Sequence, residues 1–295
     1  MSCLFPKLMK VIFKSGITNT LLVPCGKCAA CLKDIQDEWV FRLRQEAKDA
    51  TCSRFYTLTY DDDHFPKNGE LCKSDVQLFM KRLRKELDKQ KVKVRYFLVG
   101  EFGSKTKRPH YHAIMFYYDQ DQKLIFTNDV LKIDQIVCDT WQKGNILGSS
   151  ADIERIVYCT KYILNRDPNK KEVYRNNHFM MCSRNPGLGN GFLEKHADYY
   201  HDNEITYVSE NGIKQKMPRF YRKKIFDDLS DYERSLMCDR QKFEHEIKYR
   251  EQINAISHKH GVDEFQAAAL HRKQRREQNQ RIYKKNNDKF NSRKL

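Results

Sequence analysis

The strongest constraint on the fold is a pair of apolar segments joined by a short basic loop. VRYFLVG (94–100) is almost continuously apolar, and RPHYHAIMF (108–116) places two histidines at the start of a second apolar run. The loop between them, FGSKTKRP (102–109), has eight residues. Two buried strands separated by so short a loop predict an antiparallel β-hairpin.

Helices and further strands are predicted on both sides of this hairpin. FYTLTY (55–60) alternates as a strand, and apolar residues then recur every three or four positions between Val76 and Leu87, as in an amphipathic helix. Ser74 and Gln77 have the spacing of a capping box at the start of this helix. The other predicted elements are a hairpin that turns at Ser15 and Gly16, helices over 32–50, 133–141 and 152–166, a short segment near Ile146, and charged helix from Ser230 onward. This order predicts an α+β fold in which helices pack against a central antiparallel sheet.

Changes in composition divide the chain into four parts. Residues 1–50 contain a cysteine-rich segment and the first helix, and residues 51–170 contain the strands and helices of the α+β domain. Residues 171–227 are rich in loop-forming Pro and Gly and include PRFYRKK (218–224), which interleaves aromatic and basic side chains. Residues 228–295 form a charged, basic helical tail.

The charge balance indicates a polyanionic partner. Lys and Arg number 55 against 39 Asp and Glu, which gives a net charge of +16 and a pI near 9.3. The last 24 residues carry ten basic and two acidic side chains, so this tail either contacts phosphates or only keeps the protein in solution. We expect nucleic acid rather than a membrane as the partner, and a cytoplasmic location, because the sequence has no run of 18 apolar residues and no signal peptide.

Two histidines and a glutamate are candidate metal ligands. Residues i and i+2 of a strand point to the same face, so His110 and His112 present both imidazoles to one side. Glu101 ends the preceding strand, and the hairpin predicts its carboxylate beside His110. These ligands suit Mg²⁺ or Mn²⁺, and Zn²⁺ accepts the same set; without a metal, the histidines are polar residues of a solvated face. Rival donors, which alternatively form a turn, are Asp61, Asp62, Asp63 and His64.

A candidate nucleophile lies in ERIVYCTKYILNR (154–166). In a helix, Tyr158, Lys161 and Tyr162 lie on the arc opposite the apolar residues. A tyrosine hydroxyl attacks a phosphate poorly without help, and Lys161 is a cation that can stabilise the oxyanion. The alternative is a second packed face of the helix. The predicted core arc comprises Ile153, Ile156, Val157, Thr160, Ile163 and Leu164.

The cysteines near the start have the short spacing of a zinc knuckle. Cys25, Cys28 and Cys31 are three residues apart, and Cys3 is the candidate fourth ligand. An iron–sulfur cluster would require a further cysteine near Ile35. The alternative is that these are unused thiols, since the ten cysteines are scattered as in proteins of a reducing compartment.

The ordered motifs resemble those of the HUH endonuclease superfamily. FYTLTY, EFGSKTKRPHYHAIMF and YCTKY look like its three motifs, in the same order. Within that superfamily, PCGKCAACL, SRNPGLG (183–189) and PRFYRKK are most similar to the rolling-circle replication initiators of gokushovirus-type microviruses, which are small circular single-stranded DNA phages. The resemblance spans about residues 20–225.

The resemblance implies a fold, an activity and a set of partners. It implies a ferredoxin-like nuclease domain over 51–170 whose sheet carries the metal ligands. Tyr158 and Tyr162 would act in turn, nicking origin DNA to leave a 5′-phosphotyrosine and later rejoining the strand. The implied partners are single-stranded DNA at a viral replication origin, a host DNA polymerase and a host helicase, because the sequence has no P-loop for ATP. Residues expected to contact DNA are Lys105, Lys107, Arg108, Arg219, Arg222 and Lys223.

Two other functions remain open at this stage. A non-enzymatic nucleic-acid-binding protein would use the cysteine-rich segment, the basic tail and exposed aromatic residues, and would form no covalent adduct. An HUH-type transposase would share the chemistry but act on hairpin ends. Relaxases are disfavoured, because their tyrosine precedes the histidines, whereas the first tyrosine of this chain is Tyr56, within the first predicted strand of the domain.

Overall fold

A computed structural model describes residues 3–103, 106–119, 127–161, 178–210 and 212–292. The strands are β1 (Lys7–Ile12), β2 (Thr18–Val23), β3 (Cys52–Thr59), β4 (Val92–Phe102), β5 (Pro109–Asp119), β6 (Ile146–Ser150), β7 (Met180–Cys182), β8 (Tyr207–Glu210) and β9 (Ile213–Lys216). The helices are α1 (Ala29–Asp49), α2 (Lys73–Lys89), α3 (Thr127–Trp141), α4 (Ile153–Lys161), α5 (Asn190–Asp202), α6 (Arg219–Ile225), α7 (Asp231–His260) and α8 (Glu264–Ser292).

A five-stranded antiparallel sheet in the order β6-β3-β5-β4-β7 forms the centre of the nuclease-like region. The elements β3, α2, β4, β5, α3 and β6 follow one another as βαββαβ, which is the ferredoxin-like order. Strand β7 pairs with β4 and extends the sheet at that edge. The predicted α+β, ferredoxin-like fold with helices against a central antiparallel sheet is confirmed.

Alternation along β5 divides its side chains between two cores. The odd-numbered residues of Tyr111–Tyr117 pack with α2 and α3 on one face of the sheet. Ile114 and Phe116 pack with α1 and α4 on the other face. Because the alternation has a period of two, His110 and His112 lie on the face that carries α1 and α4.

Helix α2 begins one residue before the predicted capping box. Its N-cap is Cys72, which makes no side-chain capping hydrogen bond, and Ser74 already lies in the first turn. The Cys72 backbone N–H instead donates to the Tyr111 hydroxyl at 2.8 Å, so a contact with the sheet sets the start of the helix. The capping-box prediction is therefore wrong, whereas the buried stripe from Val76 to Leu87 is confirmed.

Helix α4 presents a slightly different buried face from the predicted one. It begins after Asp152, whose carboxylate accepts a backbone hydrogen bond from the first turn at 2.8 Å. Ile156 and Cys159 are buried, whereas Ile153 is 46% exposed. The predicted arc is wrong for Ile153, because the first turn is not covered, and it omitted Cys159. The rest of the predicted helix, 162–166, lies outside the described residues.

The chain divides into two compact units, one comprising Met1–Ile35 with Arg222–Leu295 and the other Gln36–Tyr221. The first unit contains the β1–β2 hairpin, α7 and α8, and α7 starts with a capping box formed by Ser230 and Glu233. The second unit contains the central sheet, α5 and the β8–β9 hairpin, so the segment predicted as loop-rich also contains regular structure. In the part of the chain described, none of the helices combines the length and apolar composition needed to cross a bilayer.

Gly144 is expected to be indispensable for attaching β6 to the sheet. Its φ is +139°, and a Cβ there would collide with the backbone of Thr59, Tyr60 and Asp61. We expect Gly144→Ala to lower the free energy of unfolding by at least about 2 kcal/mol in urea denaturation. Gly212→Ala is the matched control, because Gly212 also has a positive φ (+75°) but no atom lies within 4 Å of the added Cβ. It should cost only about 1 kcal/mol, and equal losses for the two variants would contradict the collision argument.

Candidate active site and metal ligands

Three metal-binding side chains converge at one end of the β4–β5 hairpin. The strand register pairs Glu101 with His110, so a carboxylate and an imidazole lie side by side. Glu101 Oε1 is 2.6 Å from His110 Nε2 and 3.1 Å from His112 Nε2. The ligand atoms all lie within 4.8 Å of one another, which is close enough for them to share one divalent cation. The structure thus brings together the three residues that the sequence pattern singled out.

The second nitrogen of each imidazole is held by a neighbouring group. His112 Nδ1 is 3.0 Å from Thr57 Oγ1, directly across the β3–β5 pair, and His110 Nδ1 is 3.3 Å from the Arg108 carbonyl oxygen. These contacts turn Nε2 of both rings toward Glu101, as is usual for histidines that bind metal. Sequence reasoning missed Thr57, because only the pairing of β3 with β5 reveals that it faces His112.

Burial and hydrogen bonding set the protonation of these groups. Burial alone would raise the pKa of the Glu101 carboxyl, but hydrogen bonds from His110 and His112 outweigh it and hold that pKa below its usual range. Burial is the largest effect on His112 and lowers the pKa of its imidazole. An ionised carboxylate and a neutral imidazole are the forms in which these groups bind a metal.

Helix α4 brings a tyrosine hydroxyl to the same site. The Tyr158 hydroxyl is 3.4 Å from His112 Nε2, and the two rings meet edge to face with centroids 5.1 Å apart. Phe55 stacks on the His112 ring and packs edge to face against the half-buried Tyr158. Tyr158 therefore packs against the core and also reaches the candidate metal ligands. Lys161 is the last residue of α4, and Tyr162 lies outside the described residues.

The basic loop contributes cations next to the histidine strand. Lys107 is exposed and has a φ of +55°, while Lys105 lies outside the described residues. Arg108 forms an ion pair with Asp62 at 2.8 Å, and its guanidinium lies 4.7 Å from the centroid of the Phe65 ring. Both described residues of the loop that were expected to contact DNA therefore lie next to the histidine pair in the chain.

The rival donors near the end of β3 form a turn. Asp61 accepts a hydrogen bond from the His64 backbone N–H at 2.8 Å, and its carboxylate also contacts the His64 ring nitrogen at 2.8 Å. Asp62 is paired with Arg108. Over the described ranges, these acidic residues do not join a converging group of three or more metal ligands.

The basic residues of PRFYRKK lie in or next to the short helix α6. Arg219 and Lys223 are exposed, and Arg222 is half-buried. Tyr221 between them is fully buried, and its hydroxyl donates to the Gly189 carbonyl at 2.9 Å. This tyrosine belongs to the core and is not a surface for base stacking.

The cysteines form the second converging group of ligand atoms among the described residues. Cys3 is 1% exposed and packs with Cys28 and Cys31, although it is distant in sequence. Burial raises the pKa of the Cys25 thiol, but backbone N–H groups of Lys27 and Cys28 lower it more strongly, to about 7. Burial raises the pKa of Cys31 well above its usual range.

Comparison with known proteins agrees with this arrangement. Residues 53–167 match the family model of the replication-associated protein ORF2. This segment is a replication-associated domain of the ORF2 family. It contains β3, the hairpin with the three candidate metal ligands, and helix α4 with Tyr158.

The ORF2-family domain lies within a longer similarity to phage proteins. The chain is 29% identical over 212 residues to the replication-associated protein VP4 of Bdellovibrio phage phiMH2K, which is 68% of this chain and 66% of that protein. It is 26% identical over 223 residues to the replication-associated protein ORF2 of Spiroplasma virus 4, covering 71% and 69%. It is 28% identical over 150 residues to the replication-associated protein ORF4 of Chlamydia phage 1, covering 48% and 37%. The resemblance to phage replication proteins is thereby confirmed, while no solved structure matches the chain.

Thr57 is expected to control metal affinity through His112. Thr57→Val removes the hydroxyl that holds His112 Nδ1 but keeps the side-chain shape. We expect Mn²⁺ affinity, measured by electron paramagnetic resonance titration, to fall roughly 10- to 100-fold. Thr59→Val is the matched control on the same strand face, because the Thr59 hydroxyl donates to the Asn145 carbonyl. Equal affinities for the two variants would rule out this role of Thr57.

Proposed function

We propose that this chain initiates rolling-circle replication of a small phage genome as a metal-dependent, site-specific single-stranded DNA endonuclease and strand-transferase. The observation that carries the proposal is the 3.4 Å distance between the Tyr158 hydroxyl and His112 Nε2, because a nucleophile lies beside a group of metal ligands. The ORF2-family domain and the similarity to three phage replication-associated proteins support the role in replication.

In the cleavage step, the Tyr158 oxygen attacks the phosphorus of the scissile phosphodiester. A bond between the tyrosine oxygen and phosphorus forms, and the bond between phosphorus and the 3′ oxygen breaks. The phenol loses its proton, and the departing 3′ oxygen takes up a proton to become a hydroxyl. The 5′ end remains attached to the protein as a phosphotyrosine, so one phosphate ester replaces another and no ATP is required.

Residues around Tyr158 prepare this step. Lys161 is three residues further along α4, so its ammonium is on a neighbouring part of the helix surface and can offset charge on the phosphate. Thr57 and the Arg108 carbonyl hold the two imidazoles. A divalent cation held by Glu101, His110 and His112, with Mg²⁺ or Mn²⁺ preferred for its hard ligands, would polarise a phosphate oxygen.

A second tyrosine provides for the release of a circle. Tyr162 is four residues after Tyr158 in the sequence and is proposed to cut the strand again after one round of synthesis. The free 3′-OH then attacks the first phosphotyrosine. This re-forms the phosphodiester, returns Tyr158 to its phenol form and releases circular single-stranded DNA.

The proposed partners follow from the charge and from the chemistry. The net charge of +16 favours binding to DNA, and the substrate is single-stranded DNA at a viral origin. The 3′-OH left by cleavage would be extended by a host DNA polymerase in the host cytoplasm. Unwinding is assigned to a host helicase, because the sequence contains no GxxxxGK[ST] motif.

A covalent adduct is the direct test of the cleavage chemistry. Purified protein is incubated with Mn²⁺ and circular single-stranded DNA, including the cognate genome, and then run on a denaturing gel. We expect a DNA-linked protein band that is lost in the Tyr158→Phe/Tyr162→Phe double variant and in His112→Ala. Tyr199→Phe is the matched control, because Tyr199 is 60% exposed on α5, away from the candidate ligands in sequence, and should retain the band.

The single tyrosine variants identify the nucleophile of the first cut, because the adduct persists only when that residue is present. An adduct that persists in the double variant would refute the tyrosine mechanism. Salt-sensitive DNA binding with no adduct on any circle would favour the non-enzymatic binding protein. Products joined at hairpin ends instead of circles would favour a transposase.

Lys107 is expected to contribute one phosphate contact. Lys107→Ala should weaken single-stranded DNA binding about equally for all sequences and reduce the slope of log affinity against log salt by about 0.7. Lys85→Ala is the control, because Lys85 is exposed on α2, which covers the other face of the sheet. Fluorescence anisotropy at several salt concentrations measures the slopes, and an unchanged slope for Lys107→Ala would exclude the contact.

A further inference from the structure

Four cysteine sulfurs form a compact cluster in the unit that contains the first 35 residues. The Sγ atoms of Cys25 and Cys31 are 3.9 Å apart, and those of Cys3 and Cys28 are also 3.9 Å apart. All four Sγ atoms lie within 4.8 Å of one another. All four cysteines are free thiols, and all but Cys25 are buried.

These spacings match a single tetrahedral metal ion. A Zn–S bond of about 2.3 Å in a tetrahedron separates neighbouring sulfurs by about 3.8 Å. An iron–sulfur cluster has several atoms between its thiolates and therefore needs a wider arrangement. Four thiolates without an open position are typical of structural zinc sites and not of catalytic ones.

Backbone groups already point toward these sulfurs. The N–H of Cys25 donates to Cys3 Sγ at 3.2 Å, and the N–H of Cys28 donates to Cys25 Sγ at 3.3 Å. The N–H of Cys31 donates to Cys28 Sγ at 3.5 Å. Such hydrogen bonds stabilise the negative charge that thiolates retain around a zinc ion.

One face of helix α8 contacts the segment that carries the cysteines. Arg275 donates to the Cys3 carbonyl at 2.9 Å, and Asn279 Oδ1 accepts from the Ala29 N–H at 2.9 Å. The Tyr283 hydroxyl donates to the Lys27 carbonyl at 2.6 Å. The three helix residues are four positions apart, so they form one stripe along α8.

We propose that Cys3, Cys25, Cys28 and Cys31 bind one structural Zn²⁺ and that this zinc-closed loop is the surface to which helix α8 is anchored. Binding replaces four S–H bonds with four Zn–S bonds and releases four protons to solvent. The partners of α8 are backbone groups of Cys3, Lys27 and Ala29, whose positions depend on the closed loop. Metal removal therefore frees α8, which begins the basic end of the chain. This site is independent of the proposed nicking reaction, and either can fail without the other.

Metal content and thiolate spectroscopy test the ligand set on the full chain. We expect about one zinc per chain by mass spectrometry of the metal, and replacement by Co²⁺ should produce a thiolate-to-cobalt charge-transfer band. Glu101, His110 and His112 contain no sulfur, so that band reports only on the cysteines. Cys28→Ser should abolish it, whereas Cys138→Ser should retain it, because Cys138 is an exposed thiol outside the cluster. A missing band, a band retained in Cys28→Ser, or disulfides found by mass spectrometry of the untreated protein would overturn the zinc assignment.

Hydrogen exchange tests the anchoring of α8. Chelation of zinc from the wild-type chain should lower the protection of amides between 275 and 283 at least about 10-fold while leaving β4 and β5 unchanged. The double variant Asn279→Ala/Tyr283→Phe should retain zinc but lose the same protection, which separates anchoring from loss of the metal or of the fold. Unchanged protection of α8 after zinc removal would overturn the anchoring.

Discussion

The candidate site depends on the register of β4 against β5. Because Glu101 lies opposite His110 and Val99 lies opposite His112, one carboxylate oxygen reaches Nε2 of both imidazoles. A shift of one residue in β5 would turn both histidines to the other face and bring residues such as Tyr111 into their place. The pairing that buries the two apolar strands is therefore also what assembles the ligands.

The opposite face of the sheet supplies packing that a polar site cannot. Its buried tyrosines are hydrogen-bonded, with the Tyr56 hydroxyl donating to Asp134 at 2.6 Å and the Tyr117 hydroxyl donating to Tyr56 at 3.2 Å. Large apolar surfaces are thus buried there without unpaired polar groups. The face with α1 and α4 can then hold Glu101 and His112, which would cost stability if they were buried without partners.

Local patterns predicted the elements well but not their details. The buried stripe of α2 and the hairpin follow from hydrophobic periodicity, which depends on neighbouring residues alone. The start of α2 was mispredicted because the hydrogen bond from the Cys72 N–H to Tyr111 joins the helix to the sheet. Ile153 is exposed for a similar reason, since periodicity identifies an apolar arc but not how far along a helix the core extends.

By itself, the sequence determined that His110 and His112 share one face of a strand and that Glu101 ends the strand before them, because the period of a strand is two residues. Only the tertiary structure decided that Thr57 holds His112, that the Tyr158 hydroxyl comes within 3.4 Å of the same ring, and that Cys3 joins the other three cysteines. These contacts join residues 22 to 55 positions apart. They depend on strand pairing and helix packing, and no local periodicity encodes either.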